Sequence, residues 1–249
     1  MVSASGWIAR AKPLARRLPP PLLAPARSAT DRALRLGRRP LWSGLRRLPP
    51  LCAERRPDDA HTVFEHYASA FFDHWRDDIR GRVLAARDAG YITRFGGSAV
   101  EASEIVDHDP ENTAATIIAD LAEPGSLPGR LFDCVVLADT LPFMANPEVA
   151  LENAWRVVNV GGCLLVTARV VDRADGERHA LWSFTGAGLS TLAARALPGA
   201  DLWVGEYGNL LTAVATLYGV DARELKPGDL DRRDPRYPVL VAARARKRL

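Results

Sequence analysis

Residues 131–169 carry the clearest sequence signal for the fold class of this chain. They read LFDCVVLADTLPFMANPEVALENAWRVVNVGGCLLVTAR. The stretch begins with a short apolar run at residues 132–137 that is rich in β-branched residues, which is typical of a buried strand. Apolar residues then recur at helical spacing over residues 147–158, with Asn146 suited to the cap and Pro147 to the first turn. A second apolar strand follows at residues 163–167. A strand, a helix and a strand with short connections predict a parallel crossover unit.

The carboxyl end of the first of these strands is the expected ligand site. In open parallel sheets, ligands bind where the strands end. Here the apolar run gives way abruptly to Ala138, Asp139 and Thr140. These three residues are therefore candidate ligand contacts.

The segments FDCVVLADTL, RVV at the end of the helix, and GGCLLVT resemble the late half of a class I S-adenosylmethionine-dependent methyltransferase. Asn159 and Val160 stand where that family usually has Lys-Pro. The resemblance runs from about residue 62 to residue 247 and is strongest to the bacterial type 11-like methyltransferase-domain family. It implies an α/β, Rossmann-like fold, with a seven-stranded, mostly parallel sheet, helices on both faces and an antiparallel last strand. The alternative is the crossover of another Rossmann-like enzyme, because such folds host many functions.

The resemblance also implies that S-adenosylmethionine is the cofactor, and it assigns the residues that hold the adenosine part. A predicted second strand at residues 104–108 puts Asp109 where the family binds the ribose hydroxyls, with Asp107 as the alternative if the register shifts by two. An ionised carboxylate accepts two hydrogen bonds from such a diol. A predicted third strand at residues 115–119 is followed by Asp120 and Leu121, which take the position of the adenine contacts.

The loop after the predicted first strand, at residues 82–86, departs from the family pattern. The family usually has an acidic residue and then glycines there, which let the backbone approach the methionine part of the cofactor and bind its ammonium group. Ala85 stands in place of the acid and Arg87 in place of the first glycine. Asp88 and Gly90 are the candidate substitutes. Because the cofactor carries a sulfonium and an ammonium group, a cation at Arg87 predicts weak binding.

Other candidates flank the sheet. A helix predicted at residues 58–80 carries an aromatic stripe, and the family places such a helix across the cofactor, so Tyr67 is a candidate cofactor contact; the alternative is a core-packing stripe. Ala138 and Asp139 are the cofactor contacts expected after the fourth strand. His179 precedes a predicted helix in a segment that contributes to the acceptor pocket in the family, and His179 and Asp139 are the candidate general bases.

The first 57 residues differ from the rest of the chain. They carry thirteen Lys or Arg against two acidic residues, a net +11 within a chain of net +3, and nine of the eighteen prolines. Proline interrupts helices, so we predict a basic, Pro/Arg-rich arm that is partly disordered or forms short helices. A methyltransferase domain at residues 58–249 follows it. An arm of this charge could contact membrane headgroups, nucleic acid or an acidic partner.

The composition of the chain bears on its cellular compartment and on whether it binds a metal. No apolar run approaches the ~20 residues of a membrane span, and no secretory signal follows Met1. The three cysteines have no metal-ligand spacing, so we predict no metal site and a reducing, cytoplasmic compartment. The richness in Ala, Arg and Pro is typical of a bacterium with a high-GC genome.

Together these features predict a methyltransferase that uses S-adenosylmethionine and acts on a small-molecule or glycan acceptor, such as a sugar or a secondary metabolite. Two alternatives remain. A catalytically impaired, methyltransferase-like scaffold is favoured by Ala85 and Arg87. A binder of anionic surfaces would act through the basic arm rather than through the predicted site.

Overall fold

The computed structural model describes residues 61–171 and 180–248, which form one mixed sheet. The predicted arm and His179 lie outside the described residues, so the predictions made for them stand as predictions. The seven strands are β1 Gly81–Ala86, β2 Val100–Asp107, β3 Ile117–Ile118, β4 Phe132–Ala138, β5 Val158–Arg169, β6 Ala200–Tyr207 and β7 Leu240–Lys247.

The order of the strands across the sheet is β3-β2-β1-β4-β5-β7-β6. Neighbouring strands from β3 to β5 are parallel, and β7 is antiparallel to both β5 and β6. The predicted sheet, mostly parallel with an antiparallel last strand, is therefore confirmed. From β1 the chain winds outward to β3, and from β4 it winds the other way. This reversal makes a crevice between the carboxyl ends of β1 and β4, which is where open α/β sheets bind ligands.

Helices cover both faces of the sheet. The helices are α1 Val63–His74, α2 Gly90–Phe95, α3 Pro147–Arg156, α4 Gly186–Ala196, α5 Leu210–Tyr218 and α6 Pro227–Asp231. Because side chains alternate along a strand, Leu84 and Val135 pack on the face under α3 and α4, whereas Val83 and Val136 pack on the face under α1, α2 and α5. Among the described residues, no helix has both the length and the apolar character that a membrane crossing requires.

Local sequence signals explain where the helices begin. Thr62 and Glu65 form a capping box at the start of α1, with each side chain bonded to the other residue's backbone N–H. Asn146 caps α3, and Pro147 is its first residue. Thr185 caps α4 in the same way. These caps satisfy N–H groups that a helix leaves without internal partners.

The largest differences from the sequence predictions lie at β2, β3 and α2. β2 begins four residues before the predicted strand, because its first half is largely exposed and has no run of apolar residues to mark it. It ends at Asp107 rather than at residue 108. β3 is only two residues long. The six residues of α2 were predicted as a loop and a turn, and they are too short to show a helical period.

Candidate active site at the carboxyl edge of the sheet

A cavity of about 220 Å³ lies at the carboxyl edge, where β1, β2, β3 and β4 end; we call it the edge cavity. Its walls come from the residues that end these strands or follow them. They are Ala86, Arg87, Val106, Asp107, His108, Ala119, Asp120, Leu121, Thr140, Phe143 and Met144. The cavity therefore adjoins the crevice that the strand order predicts.

Asp107 is the last residue of β2 and lines the edge cavity while being largely buried, at 8% exposure. Its carboxylate accepts hydrogen bonds from Asn112 Nδ2 at 2.7 Å and from the backbone N–H of Asp109 at 3.2 Å. Burial opposes ionisation, but these hydrogen bonds and the nearby His108 outweigh it and lower the pKa of Asp107. The cavity thus has an ionised acceptor at neutral pH.

Asp109, the residue favoured from the sequence, lies elsewhere. It is exposed, and its Oδ1 accepts a hydrogen bond from the backbone N–H of Glu111 at 2.8 Å, so it shapes the turn after β2. It does not line the edge cavity. The reason is register: β2 ends at Asp107, two residues before the predicted contact, and the alternative that the sequence left open is the residue found at the cavity.

Asp120 and Leu121 are brought to the cavity as predicted from the sequence. Asp120 follows β3, is exposed, and accepts the backbone N–H of Ala122 at 2.8 Å. Leu121 is buried, and its carbonyl accepts a hydrogen bond from Asn153 Nδ2 at 2.9 Å. This hydrogen bond ties the backbone at Leu121 to α3, the helix that follows β4.

Arg87 follows β1 directly and also lines the cavity. Its φ is +72°, in the left-handed region that costs a non-glycine residue about 1–2 kcal/mol. The backbone is held there because its N–H donates to the carbonyl of Val106 at 2.8 Å and its carbonyl accepts from Asn112 Nδ2 at 2.9 Å. The chain has therefore kept a glycine-type backbone conformation while carrying an arginine.

The other residues singled out in β1 and in the loop after it lie outside the edge cavity. Ala85 is 2% exposed and belongs to the core on the α1 face. Asp88 is exposed and accepts the backbone N–H of Gly90 at 2.8 Å, at the start of α2. Neither Asp88 nor Gly90 lines the edge cavity.

Asp139 follows β4 and is 8% exposed, with φ at +49°. Its N–H donates to the carbonyl of Thr167 at 2.9 Å, and its Oδ2 pairs with the guanidinium of Arg169. Burial raises the pKa of Asp139, and the hydrogen bond and charge of Arg169 oppose that rise. Oδ1 is buried and has no hydrogen-bond partner within the described residues. Asp139 and Ala138 border the cavity's Thr140 wall in sequence, but neither lines the cavity itself.

Arg169 is the last residue of β5, and no functional role was predicted for it from the sequence. Its guanidinium lies over two rings, 5.0 Å from the centroid of Phe64 on α1 and 5.8 Å from that of Phe143. Phe143 is itself a wall of the edge cavity. A signal was available, since a cation at the end of a strand next to Asp139's strand can reach that acid, but the predicted strand stopped at residue 167.

Tyr67 lies in the core rather than at the cavity. It is 3% exposed, and its hydroxyl donates to the carbonyl of Leu230 at 3.0 Å. Its ring packs 6.1 Å from that of Tyr207. The aromatic stripe of α1 thus packs as a core stripe, the alternative that the sequence left open.

The segment after β5 reaches the mouth of the cavity. The backbone N–H groups of Leu181 and Trp182 donate to the carbonyl of Pro142, at 2.7 and 3.1 Å, and Trp182 Nε1 donates to the carbonyl of Met144 at 2.8 Å. Trp182 remains 46% exposed. The described residues contain no group of three or more His, Cys, Asp or Glu side chains placed to hold a metal ion.

Residues 95–166 match a family model described as a methyltransferase domain. The matched stretch contains β2, β3, β4 and most of β5, and so it includes Asp107, Asp120 and Asp139. It begins after β1 and after Arg87. The comparison with curated protein sequences gives no match.

Several solved structures are similar to this chain in fold at low sequence identity. The N-methyltransferase NodS from Bradyrhizobium japonicum, in complex with S-adenosylhomocysteine, is 13% identical, with a TM-score of 0.46 over 76% of this chain and 89% of that one. An S-adenosylmethionine-dependent methyltransferase from Clostridium acetobutylicum is 8% identical, with a TM-score of 0.49 over 73% and 91%. The DhpI complex with S-adenosylhomocysteine is 18% identical, with a TM-score of 0.49 over 74% and 86%.

The sheet is that of a Rossmann-like fold, as the sequence predicted, and residues 95–166 match a methyltransferase-domain model. Both findings support a class I methyltransferase that uses S-adenosylmethionine.

Proposed function

We propose that this protein transfers a methyl group from S-adenosylmethionine to a small-molecule or glycan acceptor. The observation that carries the proposal is the edge cavity, which combines an ionised carboxylate at the end of β2 with a mostly apolar wall. That donor and acceptor set suits an adenosine group, which has a diol at one end and a flat base at the other. When bound, the cofactor supplies an electrophilic methyl group on its sulfonium.

Asp107 takes the ribose in this proposal, in place of Asp109. Its carboxylate accepts hydrogen bonds from Asn112 and from the backbone N–H of Asp109, and the exposed ring of His108 lies 3.1 Å from Oδ1. A ribose diol would take the acceptor position that the His108 ring occupies, since two carboxylate oxygens accept about four hydrogen bonds. A low pKa keeps it charged, so its bonds to a diol would be charge-assisted and short.

In this proposal the adenine ring lies against Ala119, Leu121 and Met144, next to Asp120. An apolar slot of this kind holds a flat ring by burial and dispersion contacts. The carboxylate of Asp120 suits an exocyclic amine, which is a hydrogen-bond donor. Its interaction with the N–H of Ala122 orients the carboxylate.

The methionine part of the cofactor would extend past Arg87 toward Asp139. Arg87 offers a cation to the methionine carboxylate but repels the sulfonium. Asp139 Oδ1, buried without a hydrogen-bond partner within the described residues, offers an acceptor to the ammonium group. The residues of the cavity thus suit the adenosine part of the cofactor. Near the methionine part, Arg87 repels the sulfonium, so we expect S-adenosylmethionine to bind weakly.

The acceptor would enter beside Trp182, whose exposed indole stands next to Met144 at the cavity. An exposed aromatic ring is a suitable platform for the apolar face of a sugar or of another ring. Direct displacement needs mainly alignment of donor and acceptor. Asp139 is already paired with Arg169, so His179 is the better candidate base in this proposal.

A second candidate function is binding without catalysis, as a methyltransferase-like partner protein. The specific observation in its favour is Arg87, which occupies a glycine-type conformation at the place where the cofactor passes the backbone. In that case nucleosides would bind and no acceptor would be methylated.

Calorimetric titration of the full chain with S-adenosylmethionine, S-adenosylhomocysteine and adenosine tests the site. Asp107→Ala should weaken all three, and its matched control Asp109→Ala should weaken none. Transfer of an isotopically labelled methyl group, assayed against a panel of sugars and phenolic small molecules, tests the reaction. Binding without transfer to any acceptor would favour the second candidate. No binding of any of the three compounds would contradict both.

A further inference from the structure

We propose that the edge cavity is also a site for adenosine 5′-phosphates, with Arg87 binding the phosphate, so that adenine nucleotides compete with S-adenosylmethionine. This inference rests on the proposed placement of adenosine in the cavity. The observation behind it is that Arg87, a cation without a salt bridge among the described residues, lines the cavity at the end to which a 5′ substituent points.

The direction of the 5′ substituent follows from the order of the strands. Adjacent parallel strands lie ~4.8 Å apart, so the ends of β3, β2 and β1 form a row about 10 Å long. If Asp120, after β3, takes the base and Asp107, at the end of β2, takes the ribose, the next position in the row is Arg87, after β1. A group on the 5′ carbon therefore points toward Arg87.

Arg87 forms no salt bridge within residues 61–171 and 180–248. The three carboxylates on neighbouring elements have other partners. Asp139 pairs with Arg169, Asp88 accepts the N–H of Gly90, and Glu65 accepts the N–H of Thr62 in the capping box of α1. With Ala85 at the position of the strand-one acid, β1 itself supplies no negative charge. Asp107 lines the same cavity and the charge of Arg87 acts on Asp139, but neither carboxylate forms a salt bridge with Arg87 among the described residues. The guanidinium therefore has hydrogen-bond donors available to an anion in the cavity.

The backbone at Arg87 supports a functional reading of the same residue. A left-handed arginine is a costly choice where glycine would be free of strain. Such strain at the wall of a cavity is typical of residues retained for binding. A guanidinium is also the side chain best matched to phosphate, because it donates two parallel hydrogen bonds to two oxygens.

Calorimetry on the full chain with adenosine and with adenosine 5′-monophosphate tests the proposal. The wild-type protein should bind the monophosphate about ten-fold or more tightly than adenosine, the effect of a charge-assisted hydrogen bond. Arg87→Gln should remove that preference and leave adenosine affinity within a factor of two. Arg87→Lys, which keeps the charge, should retain part of it. In competition, the monophosphate should displace S-adenosylmethionine from the wild-type protein.

The matched control is Arg80→Gln, which removes an arginine from the opposite, amino edge, immediately before β1. It should change neither affinity, and thermal melting should show all three variants folded. Equal binding of adenosine and its monophosphate, or a preference that survives Arg87→Gln, would overturn the inference. If adenosine and S-adenosylmethionine bind while the monophosphate does not, only this inference fails. If adenosine does not bind at all, the proposed function fails with it.

Discussion

The edge of the sheet has two halves that differ in how far they follow the pattern of the methyltransferase class. The nucleoside half, at the ends of β2 and β3, has a carboxylate at each strand end and a mostly apolar wall between them. The amino-acid half, at the ends of β1, β4 and β5, contains Arg87, Asp139 and Arg169, and it lacks the acid and the glycine expected there. The family match includes the first half and begins only after β1.

In the amino-acid half, a backbone conformation that favours glycine occurs at residues other than glycine. Arg87 and Asp139 are the two non-glycine residues with positive φ among the described residues, and they follow β1 and β4, on either side of the crevice. Each is held by hydrogen bonds to the next strand, Arg87 to β2 and Asp139 to β5. The sheet thus imposes turns suited to glycine or asparagine, whatever side chain occupies them.

The electrostatics of the two halves are also opposite. In the nucleoside half, hydrogen bonds outweigh burial and lower the pKa of Asp107. In the amino-acid half, burial outweighs the effect of Arg169 and raises the pKa of Asp139. The first half therefore presents a fixed negative charge, and the second half presents its net positive charge through Arg87.

The largest expected effect concerns Asp107. Asp107→Ala should weaken adenosine binding by a factor of ten to a hundred or more, since a hydrogen bond to a charged group contributes about 1.5–3 kcal/mol. Asp109→Ala should stay within a factor of two of the wild type, because Asp109 is exposed and outside the cavity. Calorimetry measures both. The reverse ranking would return the ribose to Asp109 and remove the nucleoside half as defined here.

The second prediction converts the amino-acid half toward the class pattern. Arg87→Gly should tighten S-adenosylmethionine about ten-fold, because a like charge at ~5 Å costs about 3 kcal/mol at an effective dielectric of ~20 and a third to a half of that is enough. Adding Ala85→Glu would not sharpen the test, since Ala85 is buried among apolar side chains and a carboxylate there would destabilise the fold. Arg80→Gly is the matched control. Weaker binding by Arg87→Gly would show that the guanidinium assists the cofactor, and unchanged binding would show that it has no net effect.

The third prediction concerns stability. Arg87→Gly should raise the free energy of unfolding by about 0.5–1 kcal/mol, because relief of left-handed strain exceeds the entropy cost of glycine. Gly161→Ala, at φ +80° in an open part of the molecule, should do the opposite and lose about 1 kcal/mol. Chemical denaturation measures both. A destabilised Arg87→Gly would mean that the arginine side chain makes contacts that outweigh the strain.

The smallest effects are those of pH. Asp107 has a lowered folded pKa, so it contributes stability above its unfolded pKa, and that contribution is lost as the pH falls through the folded pKa. The stability difference between wild type and Asp107→Asn should therefore be largest near pH ~7 and shrink below pH ~4. Asp139 has a raised pKa, so it costs stability at neutral pH and regains it on protonation. Carboxyl-carbon NMR should find Asp139 titrating at the higher pH of the two; the opposite order would contradict the electrostatic comparison.

Much of the fold was readable from the sequence because the central strands are continuous apolar runs. β4 and β5 were recognised from residues 132–137 and 163–167, and the cap Asn146 marked the start of α3. β2 was less readable, since its first half is largely exposed; the sequence placed its end one residue late and favoured Asp109 over Asp107 as the ribose contact.

The site was only half readable, for a physical reason. Asp120 and Leu121 could be placed because they follow a strand in order. Arg169 was missed because the predicted strand stopped at residue 167 and because the rings it lies over come from α1 and from Phe143. The left-handed backbone of Arg87 was also invisible, since nothing local in Arg-Asp-Ala-Gly signals a positive φ at an arginine.

The most direct test of the comparison between the two halves is the ratio of affinities of the wild-type protein for adenosine and for S-adenosylmethionine, measured by calorimetry in one buffer. If the nucleoside half is intact and the amino-acid half is modified, the methionine part adds little, and the two dissociation constants should agree within about a factor of ten, or ~1.4 kcal/mol. Binding of S-adenosylmethionine a hundred-fold or more tighter than adenosine would contradict the account, because it would show an amino-acid half that works as well as the nucleoside half.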